Sequence, residues 1–267
     1  MAQSILCRDP MNSSARQVTT SSRTAALVVF AKAPIPGQVK TRLCPPLTPD
    51  EAATIHGSFV LDTVERAKAA IDRFTLPVDR FLACAPSSAH PFFKVLEARH
   101  GMRLIDQTGD DLGERMAEVF DRLFARNYRS VFLVGTDVPS LPLEEYRRAF
   151  DLLESHDLVL GPALDGGYYL LGLKHPVPEL FVGIPWSTSL VLQTTEDRAR
   201  SLGLTVARTA SWRDVDTIDD LTALIDANTL DVAKPKPERV FSSRTTGALQ
   251  LIAERLRARA ARQPSSS

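Results

Sequence analysis

The feature that most constrains the fold of this chain is the alternation of short apolar runs with amphipathic helical patterns. The first run, residues 26–32 (ALVVFAK), is continuous and rich in valine, which is typical of a strand buried on both faces. The same reasoning predicts strands at 80–86, 102–107, 130–136, 157–163, 167–174 and 204–210, and helices at about 48–71, 111–126, 142–155, 188–203 and 217–228. Buried strands separated by helices predict an α/β protein with a single three-layer α/β/α domain and a mostly parallel sheet.

The helix predicted at 48–71 has a well-marked start. Thr48 is in position to cap it, Pro49 suits the first helical position, and Glu51 would complete a capping box. Apolar residues then recur at steps of three and four, namely Ala52, Ile55, Phe59, Val60, Val64, Ala67 and Ile71. Such an apolar stripe predicts a helix that packs along the sheet.

The two ends of the chain differ in composition from the middle. Residues 1–23 are rich in Ser, Thr, Gln and Asn, so we expect a disordered N-terminal tail before a domain at 24–230. Residues 231–267 predict a Pro- and Lys-rich linker, a basic helix at about 246–262 and a Ser-rich tail. The basic helix could dock on its own domain, on a partner or on an anionic surface.

Charge and cysteine content exclude several classes of protein. The chain has 32 basic and 32 acidic residues among 267, so it lacks the overall positive charge that would hold nucleic acid. Its three cysteines form neither a disulfide framework nor a zinc motif, which favours a cytoplasmic protein. No apolar run reaches the roughly 20 residues of a membrane span.

Polar residues follow each predicted strand, where an open parallel sheet binds its ligands. The loop after the first strand (KAPIPGQVKTR) carries Lys32, Gly37, Lys40 and Arg42. Two cations so close together predict a clamp for a di- or triphosphate. The alternative is a solvated loop in which Arg42 pairs with a helix carboxylate. The segment is not a P-loop, because it lacks the GxxxxGK[ST] spacing.

Asp137 directly follows the strand predicted at 130–136, in the segment GTDVPS. A carboxylate at this edge of the sheet, held by Val-Pro, suits Mg²⁺ or Mn²⁺ that bridges phosphates. The alternative is that Asp137 caps the helix that begins near Leu141, or holds a turn.

Two further aspartates precede the helix predicted at 217–228. Alternation around Val215 should place Asp214 and Asp216 on one face of an extended segment, and one of them is a candidate second metal ligand. Asp219 and Asp220 fall in the first turn of the helix, where favourable interaction with the helix dipole explains them.

Two more segments combine glycine with charge. Gly166 and Gly167 follow Asp165 and would allow either a close approach to a ligand or a hairpin turn. Arg115 lies at a helix N-terminus, where a cation is unfavourable unless an anion or a base binds there. The five histidines (56, 90, 100, 156 and 175) lack metal spacing and a nearby nucleophile, so we expect them to be surface or satisfied residues.

Six segments, in this order, resemble the DUF2064 family, a group of predicted transferases with the nucleotide-diphospho-sugar transferase (GT-A) fold. They are FAKAPIPGQVKTRL (30–43), GDDLGERM (109–116), GTDVPSL (135–141), GPALDGGYYLLGL (161–173), IPWSTS (184–189) and DVDTIDDL (214–221). The resemblance covers about residues 25–228 and implies a Rossmann-like GT-A sheet. More distantly, the chain is similar to molybdenum-cofactor and phospholactate guanylyltransferases, whose first-strand loop also carries phosphate-binding Lys and Arg.

The resemblance implies roles for matching positions. Lys40 and Arg42 would contact nucleotide phosphates. Asp137 would be the metal aspartate, in the place of the last Asp of a DxD motif that here reads Gly135-Thr136-Asp137. With one carboxylate missing, the metal would depend on Asp216 or Asp214, or be held more weakly. The acceptor side would be lined by Asp165, Gly166, Trp186, Ser187 and Thr188, with Gly167 beside them.

These expectations define a Mg²⁺- or Mn²⁺-dependent glycosyltransferase that uses an NDP-sugar and a small-molecule acceptor, with Asp165 as general base. A nucleotidyltransferase is the first alternative: it would couple an NTP to a small phosphorylated acceptor and release pyrophosphate. A non-catalytic nucleotide sensor is the second, because the missing DxD carboxylate would also fit lost activity.

Overall fold

The computed structural model describes residues 25–260, so the tails predicted at 1–23 and after 262 lie outside the described residues. The strands are β1 (Ala25–Lys32), β2 (Val78–Ala85), β3 (Arg103–Asp106), β4 (Ser130–Gly135), β5 (Leu158–Pro162), β6 (Tyr168–Leu173) and β7 (Val206–Arg208). The helices are α1 (Pro49–Phe74), α2 (Pro91–His100), α3 (Leu112–Phe124), α4 (Leu143–Ser155), α5 (Val191–Ser201), α6 (Ile218–Val232) and α7 (Ser243–Ala260).

The strands form one seven-stranded sheet in the order β3-β2-β1-β4-β6-β5-β7. β1 pairs in parallel with both β2 and β4, β2 with β3, and β5 with β7. β6 runs antiparallel to β4 and to β5. The predicted mostly parallel α/β sheet is therefore confirmed. Because the chain moves outward from β1 to β3 and then returns to β4 on the other side, a topological switch point lies between β1 and β4.

The sheet is covered by helices on both faces. Along β1, Leu27 and Val29 face a core shared with α1, α2 and α4. Ala26 and Val28 face the opposite core, which contains residues of α3 and α5. Alternate side chains of one buried strand thus enter two separate cores, as expected for the middle layer of a three-layer domain.

Local capping signals explain where the helices begin. The capping box predicted for α1 is present, with the Thr48 side chain accepting from the Glu51 backbone amide. Thr217 and Asp220 form a second capping box at α6. α2 was not predicted: it has only ten residues, its cap is the unusual His90, and only Phe93 and Leu96 on it are buried.

The basic C-terminal helix docks on its own domain. Leu249 and Ile252 of α7 join Phe59 of α1 and Leu224 of α6 in a third apolar core. Arg244 forms ion pairs with Asp62 and Glu65 of α1 at 2.7 and 2.9 Å. Within residues 25–260, each helix is too short or too polar to cross a lipid bilayer.

Candidate active site

A cavity of about 590 Å³ opens at the carboxyl ends of β1 and β4, at the switch point of the sheet. Its wall combines the loop after β1, the end of β4, the start of α3 and the segment before α6. The charged and polar residues that line it include Lys32, Lys40, Arg42, Arg115, Asp137 and Asp216. The structure therefore brings together the cations and carboxylates that the sequence placed at this edge.

The Lys40 side chain is only 4% exposed, and its ammonium lies among three oxygen atoms. It donates to the carbonyl oxygen of Val215 at 2.7 Å and to Oδ1 of Asp216 at 2.9 Å. It also forms an ion pair with Oδ1 of Asp137. Since an ammonium has three hydrogens, these oxygens satisfy it fully.

Burial opposes the charged forms in this cluster, but the ion pairs outweigh it. The pKa of Lys40 lies above its ordinary value, because the Asp137 and Asp216 carboxylates outweigh the cost of burial. Likewise, the pKa of Asp137 lies below its ordinary value because Lys40 outweighs burial. Both groups are charged at neutral pH.

Two further contacts connect the segment before α6 to the cluster. The Val215 backbone amide donates to the Asp137 carbonyl at 3.0 Å, which fixes this segment against the end of β4. Arg42, which is 65% exposed, donates to Oδ2 of Asp216. Each oxygen of Asp216 therefore faces one cation of the loop after β1.

The alternative role of Asp137 as a helix cap is wrong, because α4 begins after Pro142 without a side-chain cap.

Asp214, Asp216 and Asp165 form a second acidic group. One carboxylate oxygen from each lies within 4.8 Å of the others. Asp165 reaches this position from the β5–β6 turn, where it accepts from the Gly167 amide at 2.8 Å. Burial and the neighbouring Asp165 carboxylate raise the pKa of Asp214 to about 7. The predicted common face of Asp214 and Asp216 is present.

The donor set suits a hard divalent cation. All the carboxylates concerned offer oxygen, which Mg²⁺ and Mn²⁺ prefer. Burial is the main cause of the raised pKa of Asp214, and the Asp165 and Asp216 carboxylates add repulsion that a bound cation would relieve. Asp137 and Asp216 face one cavity, as predicted, but the Lys40 ammonium lies between them.

His56 and Gln107 are among the polar cavity residues that the sequence reasoning missed. His56 of α1 is 5% exposed, and its Nε2–H donates to the Lys32 carbonyl at 3.0 Å. The sequence pattern that could have indicated the burial of His56 is its place in the apolar stripe of α1, four residues from both Ala52 and Val60. Gln107, directly after β3, donates from Nε2 to the carbonyls of Ala31 and Ala83 at 3.1 and 2.9 Å.

The start of α3 forms another part of the wall. Arg115 lines the cavity and donates from Nε to the Gly109 carbonyl at 2.9 Å, so it has a local partner as well as access to a ligand. The Trp186 indole packs directly on Gly113, where an added Cβ would come within 2.7 Å of the ring. Ser187 follows Trp186 and lines the cavity.

Asp165, Asp214, Trp186 and the remaining predicted residues lie outside the cavity wall. Gly37 has φ +78° in the turn before Lys40, so it shapes the loop. Gly166 has φ +91° and lies close to the Ser189 backbone. A Cβ atom at residue 166 would come within 2.1 Å of the Ser189 carbonyl oxygen. Thr188 donates to the Pro185 carbonyl at 2.7 Å. Gly166 thus provides both the β5–β6 turn and a close backbone contact.

An α/β sheet with acidic and basic residues at its switch point has the architecture of the nucleotide-diphospho-sugar transferases. A candidate nucleotide-diphospho-sugar transferase from Desulfovibrio desulfuricans G20 is 33% identical, with a TM-score of 0.75 over 88% of this chain and 97% of that chain. The family model described as "Uncharacterized protein conserved in bacteria (DUF2064)" matches residues 73–188. The chain belongs to this family.

A more distant likeness concerns the fold alone. The bifunctional IspDF from Campylobacter jejuni is 9% identical, with a TM-score of 0.50 over 74% of this chain and 53% of that chain. No curated protein matches the sequence. The family relationship therefore rests on the protein from Desulfovibrio desulfuricans G20, whose class name is nucleotide-diphospho-sugar transferase.

Proposed function

We propose that the protein is a divalent-metal-dependent glycosyltransferase that transfers a sugar from an NDP-sugar to a small-molecule acceptor. The observation that carries this proposal is the convergence of Lys40, Arg42, Asp137 and Asp216 on one cavity at the switch point. Such a site matches the charge of a nucleotide diphosphate, and the related protein from Desulfovibrio desulfuricans G20 bears the same class name.

Lys40 and Arg42 would bind the phosphate groups. They differ in character: Lys40 is a buried point charge, whereas Arg42 is exposed and has guanidinium donors that match two phosphate oxygens. Arg115 also lines the cavity and would contact a phosphate or the base, while Lys32 adds a further positive charge at the end of β1. These groups would stabilise negative charge on the departing diphosphate.

Asp137 and Asp216 would hold a divalent cation, with Asp214 as a further ligand. Mg²⁺ or Mn²⁺ would supply charge neutralisation of the leaving diphosphate there. Asp165, exposed on the β5–β6 turn, would accept the proton of the acceptor hydroxyl. Gly166 and Ser187 would border the acceptor, and Trp186 would support that side by packing on Gly113.

One observation favours a second candidate, nucleotidyl transfer from an NTP. The site has a single aspartate, Asp137, where a glycosyltransferase DxD motif has two, and Asp216 from another segment supplies the second carboxylate. Lys40 and Arg42 would then stabilise the departing pyrophosphate.

Product analysis distinguishes the candidates. Purified protein is incubated with Mn²⁺ and either a panel of NDP-sugars or a panel of NTPs, each with phosphorylated and unphosphorylated small acceptors. Release of NDP only in the first panel supports glycosyl transfer, and release of pyrophosphate only in the second supports nucleotidyl transfer. Nucleotide binding without either product would support the sensor and contradict both enzymes.

A further inference from the structure

The Lys40 ammonium occupies an oxygen cage formed by Asp137 Oδ1, Asp216 Oδ1 and the Val215 carbonyl. Two of these three oxygens belong to the carboxylates proposed above as metal ligands. The inference that follows therefore rests on the proposed function, and it concerns the order in which the nucleotide and the divalent cation bind.

A lysine and a divalent cation cannot share this cage. Mg²⁺ takes oxygen ligands at about 2.0–2.1 Å, so an ion held by Oδ1 of both aspartates would need the space that the ammonium fills. The ammonium lies 2.9 Å from Oδ1 of Asp216 and 2.7 Å from the Val215 carbonyl oxygen, and the Lys40 side chain is 4% exposed. For an ion to bind Oδ1 of both aspartates, Lys40 must leave these two atoms.

The charges of the surrounding side chains also oppose metal binding between Asp137 and Asp216 while Lys40 is in place. Asp137 and Asp216 carry two negative charges, and Lys40 and Arg42 carry two positive charges against them. These four charges balance without a metal, so an ion that entered between Asp137 and Asp216 with Lys40 still in place would add uncompensated positive charge there. A nucleotide diphosphate brings the negative charge that both the metal and the released lysine require.

The backbone at Lys40 is also unusual. Its φ of 49° and ψ of 36° lie in the left-handed region, which is unfavourable for a non-glycine residue. The three-oxygen cage and the burial of the side chain hold this conformation in place. Release of the ammonium would remove part of that constraint, so the loop is suited to change when a ligand takes over the lysine.

We propose that Lys40 is an internal cation that keeps the metal site closed until the nucleotide arrives. The phosphates draw the ammonium away from Asp137 and Asp216, and the divalent cation then enters between them together with the nucleotide. Metal and nucleotide binding are thus positively coupled through one side chain, and thermodynamic linkage makes that coupling reciprocal.

The test measures Mn²⁺ binding to the nucleotide-free full-length protein by the electron paramagnetic resonance signal of free Mn²⁺. Lys40→Met should bind Mn²⁺ at least about tenfold more tightly than the wild type, because the competing charge is gone. The matched control is Arg42→Met, which removes a cation from the same Asp216 without emptying the cage and should change the affinity less than Lys40→Met does. Equal Mn²⁺ affinities for the wild type and Lys40→Met would overturn the proposal.

A second variant keeps the test decisive if Lys40→Met does not fold. Lys40→Gln removes the charge but keeps an amide donor in the cage, and it should also bind Mn²⁺ more tightly than the wild type because the competing charge is gone. An unchanged Mn²⁺ affinity in folded Lys40→Gln would contradict the inference. Failure of the proposed function is recognised separately, because the wild type would then release no NDP from any NDP-sugar whatever the Mn²⁺ affinities are.

Discussion

Two clusters in this molecule have the same composition, one basic side chain between two carboxylates, but they differ in their surroundings. Arg244 pairs with Asp62 and Glu65 between α7 and α1, where Asp62 is 3% exposed and also accepts from Thr245 at 2.6 Å. Lys40 pairs with Asp137 and Asp216 at the wall of a cavity. The first cluster joins two helices, whereas the second faces space that a ligand can fill.

The direction of the aspartate pKa shift also differs between the two clusters. Burial raises the pKa of Asp62 above its ordinary value in spite of Thr245 and Arg244. At Asp137 the ion pair with Lys40 outweighs burial, and the pKa is lowered. A buried ion pair therefore does not identify a functional site by itself. The candidate site is chosen because it combines charge, a cavity and a position at the switch point.

The largest expected effect is on activity, at Asp137. Asp137→Ala should reduce turnover by at least about 1,000-fold, since it removes a proposed metal ligand. The free energy of unfolding should stay within about 1 kcal/mol of the wild type, because Lys40 keeps Asp216 and Val215 as partners. Turnover and urea denaturation are measured on the same preparation. Loss of folding in this variant would make Asp137 a structural residue like Asp62.

The next effect is on stability, at Asp62. Asp62→Ala should lower the free energy of unfolding by about 2–3 kcal/mol, because Arg244 and Thr245 lose a buried acceptor. Urea denaturation measures the change, and nucleotide binding should be preserved. Asp62→Asn is the matched control and should lose less, since its amide oxygen still accepts. If Asp62→Ala were as stable as the wild type, the docking of α7 would not depend on this cluster.

The smallest expected effect is on the pH dependence of stability, and it involves Asp214. Its pKa is raised to about 7, so the folded state binds this proton more tightly than the unfolded chain, and stability falls as the pH rises from about 4 through 7. In metal-free protein, Asp214→Asn should therefore raise the melting temperature more at pH 8 than at pH 5, by about 2 °C. Thermal unfolding at the two pH values is the measurement. A gain that is equal at both would show that neither burial nor the Asp165 carboxylate raises the pKa of Asp214.

Much of the fold could be predicted from the sequence because its signals are local. The continuous apolar residues of β1 and the Thr48–Glu51 capping box specify elements without long-range information. α2 lacked such signals, and the antiparallel direction of β6 between β4 and β5 depends on pairing across the sheet. The Asp165–Gly167 segment accordingly proved to be a turn that also brings a carboxylate to Asp214 and Asp216.

The positions of site residues that directly follow a strand could be predicted. The hydrogen-bond and ion-pair partners of their side chains could not. The position of Asp137 after β4 was enough to place it beside the loop of Lys40. That the Lys40 ammonium would lie between Asp137 and Asp216 depends on distances across 176 residues of chain, which no spacing reveals. His56 was missed because a single buried histidine in an apolar stripe resembles a core residue until its contact with Lys32 is seen.

The central claim is that this cavity binds nucleotide phosphates together with a divalent cation. A thermal-shift panel of NTPs and NDP-sugars, with and without Mn²⁺, tests it most directly when the wild type is compared with Asp137→Ala. The account predicts that one nucleotide class at about 100 times its dissociation constant stabilises the wild type by about 2.7 kcal/mol with Mn²⁺, and Asp137→Ala much less. No stabilisation by any nucleotide, or equal stabilisation of both proteins, would contradict it.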